Sequence, residues 1–346
     1  MKFDYIIGNP PYQEETESGV NRQEPVYNFF MDSVYEISDK VLLITPARFL
    51  FNAGQTPKAW NKKMLDDPHL SVVFYQIDSK TVFAGVDIKG GVSVTYRDAR
   101  RQFGPIKNFV PYDALRSAMY KVRSLSTNYL DKLVCGQSNF DLDALYEDYP
   151  DLSNRIHSNG RSKQIRSNAF EVFPELFYET EDIDHNLGMY GLFQHKRCYR
   201  YVLRRYVEQS AVLDAYKVMI PQANGSGAIG EVLSTPVIGT PLIGTPVIGY
   251  TQSFISIGPF DTLQEAENCL KYVKSKFLRA MLGTLKITQN NAAPEIWSNI
   301  PLQDFTSNSD IDWSASITNI DRQLYRKYGL TQEEIDFIET HVKAME

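Results

Sequence analysis

Asn9-Pro10-Pro11-Tyr12 follows directly on a short apolar run that ends in glycine, Phe3-Asp4-Tyr5-Ile6-Ile7-Gly8. These residue types suit one task, the holding of a conjugated amino group. An exocyclic amine such as that of adenine, or an amide nitrogen, is a poor nucleophile because its lone pair is delocalised. A site that accepts hydrogen bonds from both N–H groups draws the nitrogen toward sp3 geometry. The Asn9 side-chain carbonyl can accept one bond and the backbone carbonyl of Pro10 the other, while Pro10 and Pro11 stiffen the loop that aims them. Tyr12 offers an aromatic face to a base taken out of a duplex. Alone, the tetrapeptide is also an ordinary proline turn. The apolar strand immediately before it favours the chemical reading.

The elements that must position this loop can be read from periodicity. Residues 3–8 form a buried strand and 13–24 a polar loop. A helix spans about 25–38, with Tyr27, Phe30, Val34 and Ile37 on one face. Lys40 to Pro46 is a second buried strand, and a helix follows over 57–66. Leu70 to Ile77 and Gly91 to Tyr96 are further strands, joined by a segment with Phe83 and the turn Lys89-Gly90-Gly91. Strands alternating with helices imply a parallel α/β sheet. The last two strands, with no helix between them, are expected as an antiparallel edge pair. The texture changes near 105–115, at Gly104-Pro105, which predicts a first domain over 1–110 and a second, α+β, over 111–346.

The second part carries basic clusters. One, at 155–166, holds Arg155, Arg161, Lys163 and Arg166. Another, at 195–209, holds Lys196, Arg197, Arg200, Arg204 and Arg205 and is expected as a helix with 197, 200 and 204 on one face. Both are candidates for phosphate contacts, the alternative being solvated surface. Residues 235–249 repeat Thr-Pro-Val/Leu-Ile-Gly three times. Proline every five residues forbids a long central strand, so an extended loop or edge hairpin is expected. Thr262 with Glu265, and Thr331 with Glu334, mark two helix starts as capping boxes.

Composition sets wider bounds. The 346 residues suffice for two domains, and 43% hydrophobic with 23% charged residues is a soluble, globular balance. No apolar run is long enough to span a bilayer. Cys135, Cys198 and Cys269 lack paired spacing, which argues for a reducing cytoplasm and against a metal site. The net charge of -6 lowers the expectation of nucleic-acid binding, although charge can be segregated on one face.

In order, the segments resemble the second half of an N6-adenine DNA methyltransferase of the restriction-modification type. Asn9-Pro10-Pro11-Tyr12 resembles the catalytic loop. Val26-Tyr27-Asn28-Phe29-Phe30 resembles the helix that partly lines the cofactor pocket, which implies cofactor roles for Tyr27 and Phe30. Val41 to Phe49 resembles the next strand. Val82 to Val92 resembles a late hairpin whose aromatic residue covers the second face of the flipped base, and Phe83 matches it. Ser275-Lys276-Phe277, Ile300 to Phe305 and Leu324 to Thr331 resemble target-recognition segments.

The resemblance implies a Rossmann-like sheet followed by a target-recognition domain, S-adenosylmethionine as cofactor and double-stranded DNA as partner. It also places the family's glycine-rich cofactor loop, and an acidic residue for the ribose, before Asn9. Gly225-Ser226-Gly227 lies in the wrong domain to replace that loop. The chain is therefore expected as one half of a split enzyme, a truncated remnant or a product begun at an internal Met. A second chain would then supply the cofactor half, and strand 3–8 would offer an unpaired edge. Two other readings remain open: a non-enzymatic DNA-recognition subunit, and a methyltransferase for a protein glutamine amide.

Overall fold

The first strand explains the first sheet. Its residues alternate, so Ile6 turns toward an apolar cluster while Tyr5 and Ile7 turn away from it. The structure, a computed structural model, describes residues 2–13, 24–52, 54–88, 90–156, 163–224, 229, 238–286 and 290–345. It divides into two units, Met1–Arg116 and Ser117–Glu346.

Unit 1 runs β1 (Ile6–Gly8), α1 (Tyr27–Ile37), β2 (Lys40–Pro46), α2 (Lys58–Asp66), β3 (Leu70–Gln76) and β4 (Val92–Asp98), with the first residues of α3 (Asp113–Ser124) at its end. The sheet order is β1-β2-β4-β3. β1 and β2 are parallel, and β4 is antiparallel to both β2 and β3. β1, β2 and β3 therefore share one direction. β3 and β4 do pair antiparallel, but β4 inserts beside β2, and β3 becomes the outer strand.

The core of this unit lies between α1, α2 and one face of the sheet. Tyr27, Met31, Val41, Leu43, Phe49, Trp60 and Met64 fill it. The α1 stripe differs from the expected one. Tyr27, Met31 and Ser38 are buried, whereas Phe30 and Ile37 are 44% and 37% exposed. Apolar residues sit on both sides of α1, so spacing alone does not choose the buried side. The expected polar loop at 13–24 falls mostly on 14–23, outside the described residues.

Unit 2 continues with β5 (Val134–Cys135), α4 (Leu142–Asp148), α5 (Ala169–Val172), β6 (Leu187–Phe193), β7 (Lys196–Val202), β8 (Tyr216–Pro221), β9 (Leu242–Gly244), β10 (Ile248–Tyr250) and β11 (Phe254–Phe260). The helices α6 (Leu263–Lys274), α7 (Lys276–Gly283), α8 (Ile317–Lys327) and α9 (Gln332–His341) complete it. Its sheets are ordered β10-β6-β7 and β5-β11-β8-β9. Both expected capping boxes form, at Thr262 for α6 and Thr331 for α9.

The segments expected from 275, 300 and 324 onward form the inside of this helical region. Phe277 stacks on Tyr328 at 5.1 Å, and Gln303 Nε2 donates to Tyr328 Oη at 2.8 Å.

The basic segment at 195–209 is not a helix. It is β7 followed by a short 3-10 turn at Arg204–Tyr206. Tyr199, Tyr201 and Val202 are strand formers, and β7 pairs with β6 residue by residue from Leu187↔Val202 to Phe193↔Lys196. Arg197 and Arg200 therefore point to opposite faces of the sheet.

The pentapeptide repeat is not a hairpin either. Its second copy supplies β9, paired with β8, and its third leads into β10, paired with β6 in the other sheet. The start of the first copy, 235–237, lies outside the described residues. One side chain fastens the crossing. Lys217 is fully buried, and its Nζ donates to the carbonyls of Val212, Leu213, Ala215 and Thr245 at 2.7, 3.3, 3.1 and 3.1 Å. Burial pulls its pKa down to about 8, with Asp214 opposing.

Lys217→Met keeps most of the stem but leaves those carbonyls without their donor. It should destabilise unit 2 by about 3 kcal/mol in urea unfolding. A loss below about 1 kcal/mol would show that the cage is dispensable.

Candidate functional site

Because β1, β2 and β3 run the same way, the loops that leave them emerge at one end of the sheet. β4 enters from that same end. Ligands of open α/β sheets bind outside the carboxyl ends of the strands. The loop Asn9–Tyr12 leaves β1 there, and the segment with Phe83 leaves β3 there. The fold thus brings Tyr12 and Phe83 together, with ring centroids 6.5 Å apart and planes at 64°. A flat base between two parallel rings needs about 7 Å, two stacking distances of roughly 3.5 Å. Turning one ring is enough to open such a slot.

The two sides are held locally. Tyr12 O accepts the amide of Val26 at 3.2 Å, and Gln13 bridges Pro25, so the loop is tied to the start of α1. Opposite, Ser79 staples its segment: Ser79 Oγ donates to Val86 O and accepts from Ile88 N, each at 2.7 Å. Phe83 N donates to Ser79 O at 2.8 Å. Asp78 caps the turn by accepting from Lys80 N at 3.1 Å. The roles of Asp78 and Ser79 escaped the sequence reading, although an Asp-Ser pair beside a predicted strand end is a turn signal.

Asn9 is exposed and Pro10 half-buried. Among the described residues, no hydrogen bond engages the Pro10 carbonyl. Tyr12 Oη is buried and lacks a hydrogen bond of good geometry. Burial raises its pKa, and the adjacent Asn9 side chain partly offsets that. Among the described residues, the site therefore presents a carbonyl with no hydrogen bond, an exposed asparagine and two aromatic faces. That set can hold a planar ring by its faces and an amino group by its two hydrogens.

The residues expected to hold a cofactor do not form one wall. Tyr27 is buried between Phe49 and Trp60, at 6.2 and 6.1 Å, and burial pushes its hydroxyl up to about 12, with Thr56 and Arg48 opposing. Phe30 faces outward. Of the polar groups on α1, Asn28 is buried with its Oδ1 unpartnered. Tyr27 and Phe30 thus lie on different sides of α1, while the loop Asn9–Tyr12 offers groups that suit holding an amino nitrogen.

The basic residues are distributed unevenly. Lys163 pairs with Glu208 at 2.8 Å, Arg200 with Glu179 at 3.0 Å and Arg204 with Asp214 at 2.8 Å. These ion pairs take Arg200 and Arg204 out of the single basic face expected with Arg197. Lys196, Arg197 and Arg166 have no ion pair among the described residues. Arg161 lies outside the described residues. No described helix is long and apolar enough to cross a membrane.

A model of the Eco57I restriction-modification methylase family matches residues 1–83, which contain both Tyr12 and Phe83. An uncharacterised adenine-specific methylase of Mycoplasma pneumoniae is 33% identical over 95 residues, 27% of this chain. That match spans 22% of the relative's length. Among solved structures, the type IIG restriction endonuclease BpuSI aligns at a TM-score of 0.32 and 9% identity, over 93% of this chain and 50% of that one.

Proposed function

We propose that this chain supplies the amino-binding loop and the DNA-recognition part of an adenine-N6 DNA methyltransferase of the restriction-modification type. The observation that carries this reading is the meeting of Asn9–Tyr12 with Phe83 at the carboxyl end of the sheet. The match of residues 1–83 to restriction-modification methylases supports it. Residues 1–110 are the catalytic part and 111–346 the recognition part.

In this reading the target adenine leaves the duplex, and Tyr12 and Phe83 take its two faces. Asn9 Oδ1 and the Pro10 carbonyl accept its two amino hydrogens. The nitrogen becomes more nucleophilic as it turns toward sp3, and one proton leaves to water as the new bond to carbon forms. The chain contributes orientation and hydrogen bonding. The methyl donor, S-adenosylmethionine, would supply the methyl carbon, its sulfur keeping the electron pair of the broken bond and leaving as a neutral thioether.

β1 is an end strand of its sheet. Its outer side pairs with no described strand. Phe3, Tyr5 and Ile7 are 47%, 62% and 77% exposed. An open apolar edge recruits another strand. The chain should therefore associate in sedimentation, and Ile7→Lys should shift it toward monomer. A wild-type monomer with slow amide exchange along residues 3–8 would count against this docking.

The direct test incubates the assembly purified with this chain with methyl-labelled S-adenosylmethionine, duplex DNA and a protein pool. Label recovered as N6-methyladenine is expected. Label on a glutamine amide with none on DNA would overturn the reading.

A further inference from the structure

The hairpin β6–β7 closes on two residues, Gln194 and His195, at φ 47° and 64°. A two-residue loop with both positions left-handed suits the twist of the strands, and Asn-Gly fills it with least strain. Glutamine and histidine do not, because in that region Cβ crowds the following carbonyl. Strain of this kind in an exposed tip points to a use for the side chains that bear it. Both residues are exposed.

A second observation concerns charge. Lys196 and Arg197 follow the tip, exposed and without an ion pair among the described residues. The guanidinium of Arg197 lies 5.6 Å from the centre of the Phe254 ring, which steadies its stem. Further along the ribbon the arginines are paired, Arg200 with Glu179 and Arg204 with Asp214. Unpaired positive charge is thus gathered at one end of the hairpin. The nearby carboxylate of Glu171 accepts the amide of Gln194 at 2.9 Å and so fixes the tip against α5. Behind it, Tyr190 packs between Tyr199 and Phe254 in tilted contacts, with ring centroids 4.7 and 4.9 Å away, and stiffens the ribbon.

We propose that this tip enters the major groove of a DNA duplex, with Gln194 and His195 reading base edges and Lys196 and Arg197 on the flanking phosphates. The inference rests on the reading of the chain as a DNA methyltransferase. The major groove admits a two-stranded ribbon, and a glutamine amide matches the N7 acceptor and N6 donor of adenine. Neutral histidine brings one donor and one acceptor. Cations beside the tip position the ribbon without reading sequence.

The test is a selection from a random-sequence duplex library, the bound fraction being sequenced. It compares the wild-type chain, Q194N/H195G and K196Q/R197Q, each within the assembly purified with it. Wild type should enrich a motif. Q194N/H195G should melt at a higher temperature, because the strain is relieved, and should lose roughly ten- to a hundredfold in discrimination at the affected positions. K196Q/R197Q should keep the motif and lower the log–log salt slope by about 1.8.

An unchanged motif in Q194N/H195G overturns the proposal, as does a lower melting temperature for that variant. Wild type that enriches no duplex overturns this inference and DNA as the partner together. A motif enriched by wild type and lost in Q194N/H195G, without any methyl transfer, would sink the role of Asn9–Tyr12 and leave this inference standing.

Discussion

Asn9→Ala should lower the rate of methyl transfer by about a hundredfold, near 3 kcal/mol, in any active assembly that contains this chain. The side-chain carbonyl matters most when the amino nitrogen is becoming tetrahedral, so the loss belongs to the transition state. DNA affinity should stay close to wild type, because Asn9 sits in the exit loop of β1 and not among the basic residues of unit 2. The expected signature is a fall in kcat with little change in duplex binding. Asn9→Asp retains an acceptor and should recover part of the rate. A near-normal rate in Asn9→Ala would remove Asn9 from the chemistry. An equal loss of DNA affinity would make it a binding residue instead.

The expectation for this loop rests on four consecutive residues and the strand before them, all within one local window. The meeting of its ring with Phe83 is not contained in such a window. Phe83 reaches Tyr12 only because three strands share a direction and their exits share an end of the sheet, which no local window contains. Capping boxes at Thr262 and Thr331 were readable for the same local reason as the loop. The basic segment misled because Arg197, Arg200 and Arg204 recur at helical spacing, while Tyr199, Tyr201 and Val202 favour a strand. The hairpin that settles the matter turns on Gln194-His195, a pair with no turn signature. On α1, apolar residues on both sides blurred the stripe, and tertiary packing chose Met31 over Phe30. The repeat offered period without partners, and only the strand pairing shows its second and third copies dividing between two sheets.

Gly91→Ala should destabilise unit 1 by about 4 kcal/mol, a large share of a typical domain's stability. Gly91 has φ 80°, and a Cβ there would lie 2.3 Å from the Gln76 carbonyl oxygen and 2.8 Å from Ile77 Cα. Both contacts are backbone, so no side-chain movement relieves them. The same residue accepts the amide of Ala47 at 3.0 Å, so any shift disturbs the exit of β2 as well as the return into β4. Gly85 separates dihedral strain from this crowding. Its φ is 78°, yet a Cβ there meets nothing within 4 Å. Gly85→Ala should therefore cost about 1 kcal/mol, the price of the left-handed backbone alone. Denaturant unfolding of the two variants, monitored on the aromatic cluster around Trp60, measures the difference directly. Because the turn closes the segment that carries Phe83, Gly91→Ala should also weaken methyl transfer, whereas Gly85→Ala should largely spare it. Equal destabilisation of the two variants would show that the close approach to Gln76 is not what requires glycine at 91.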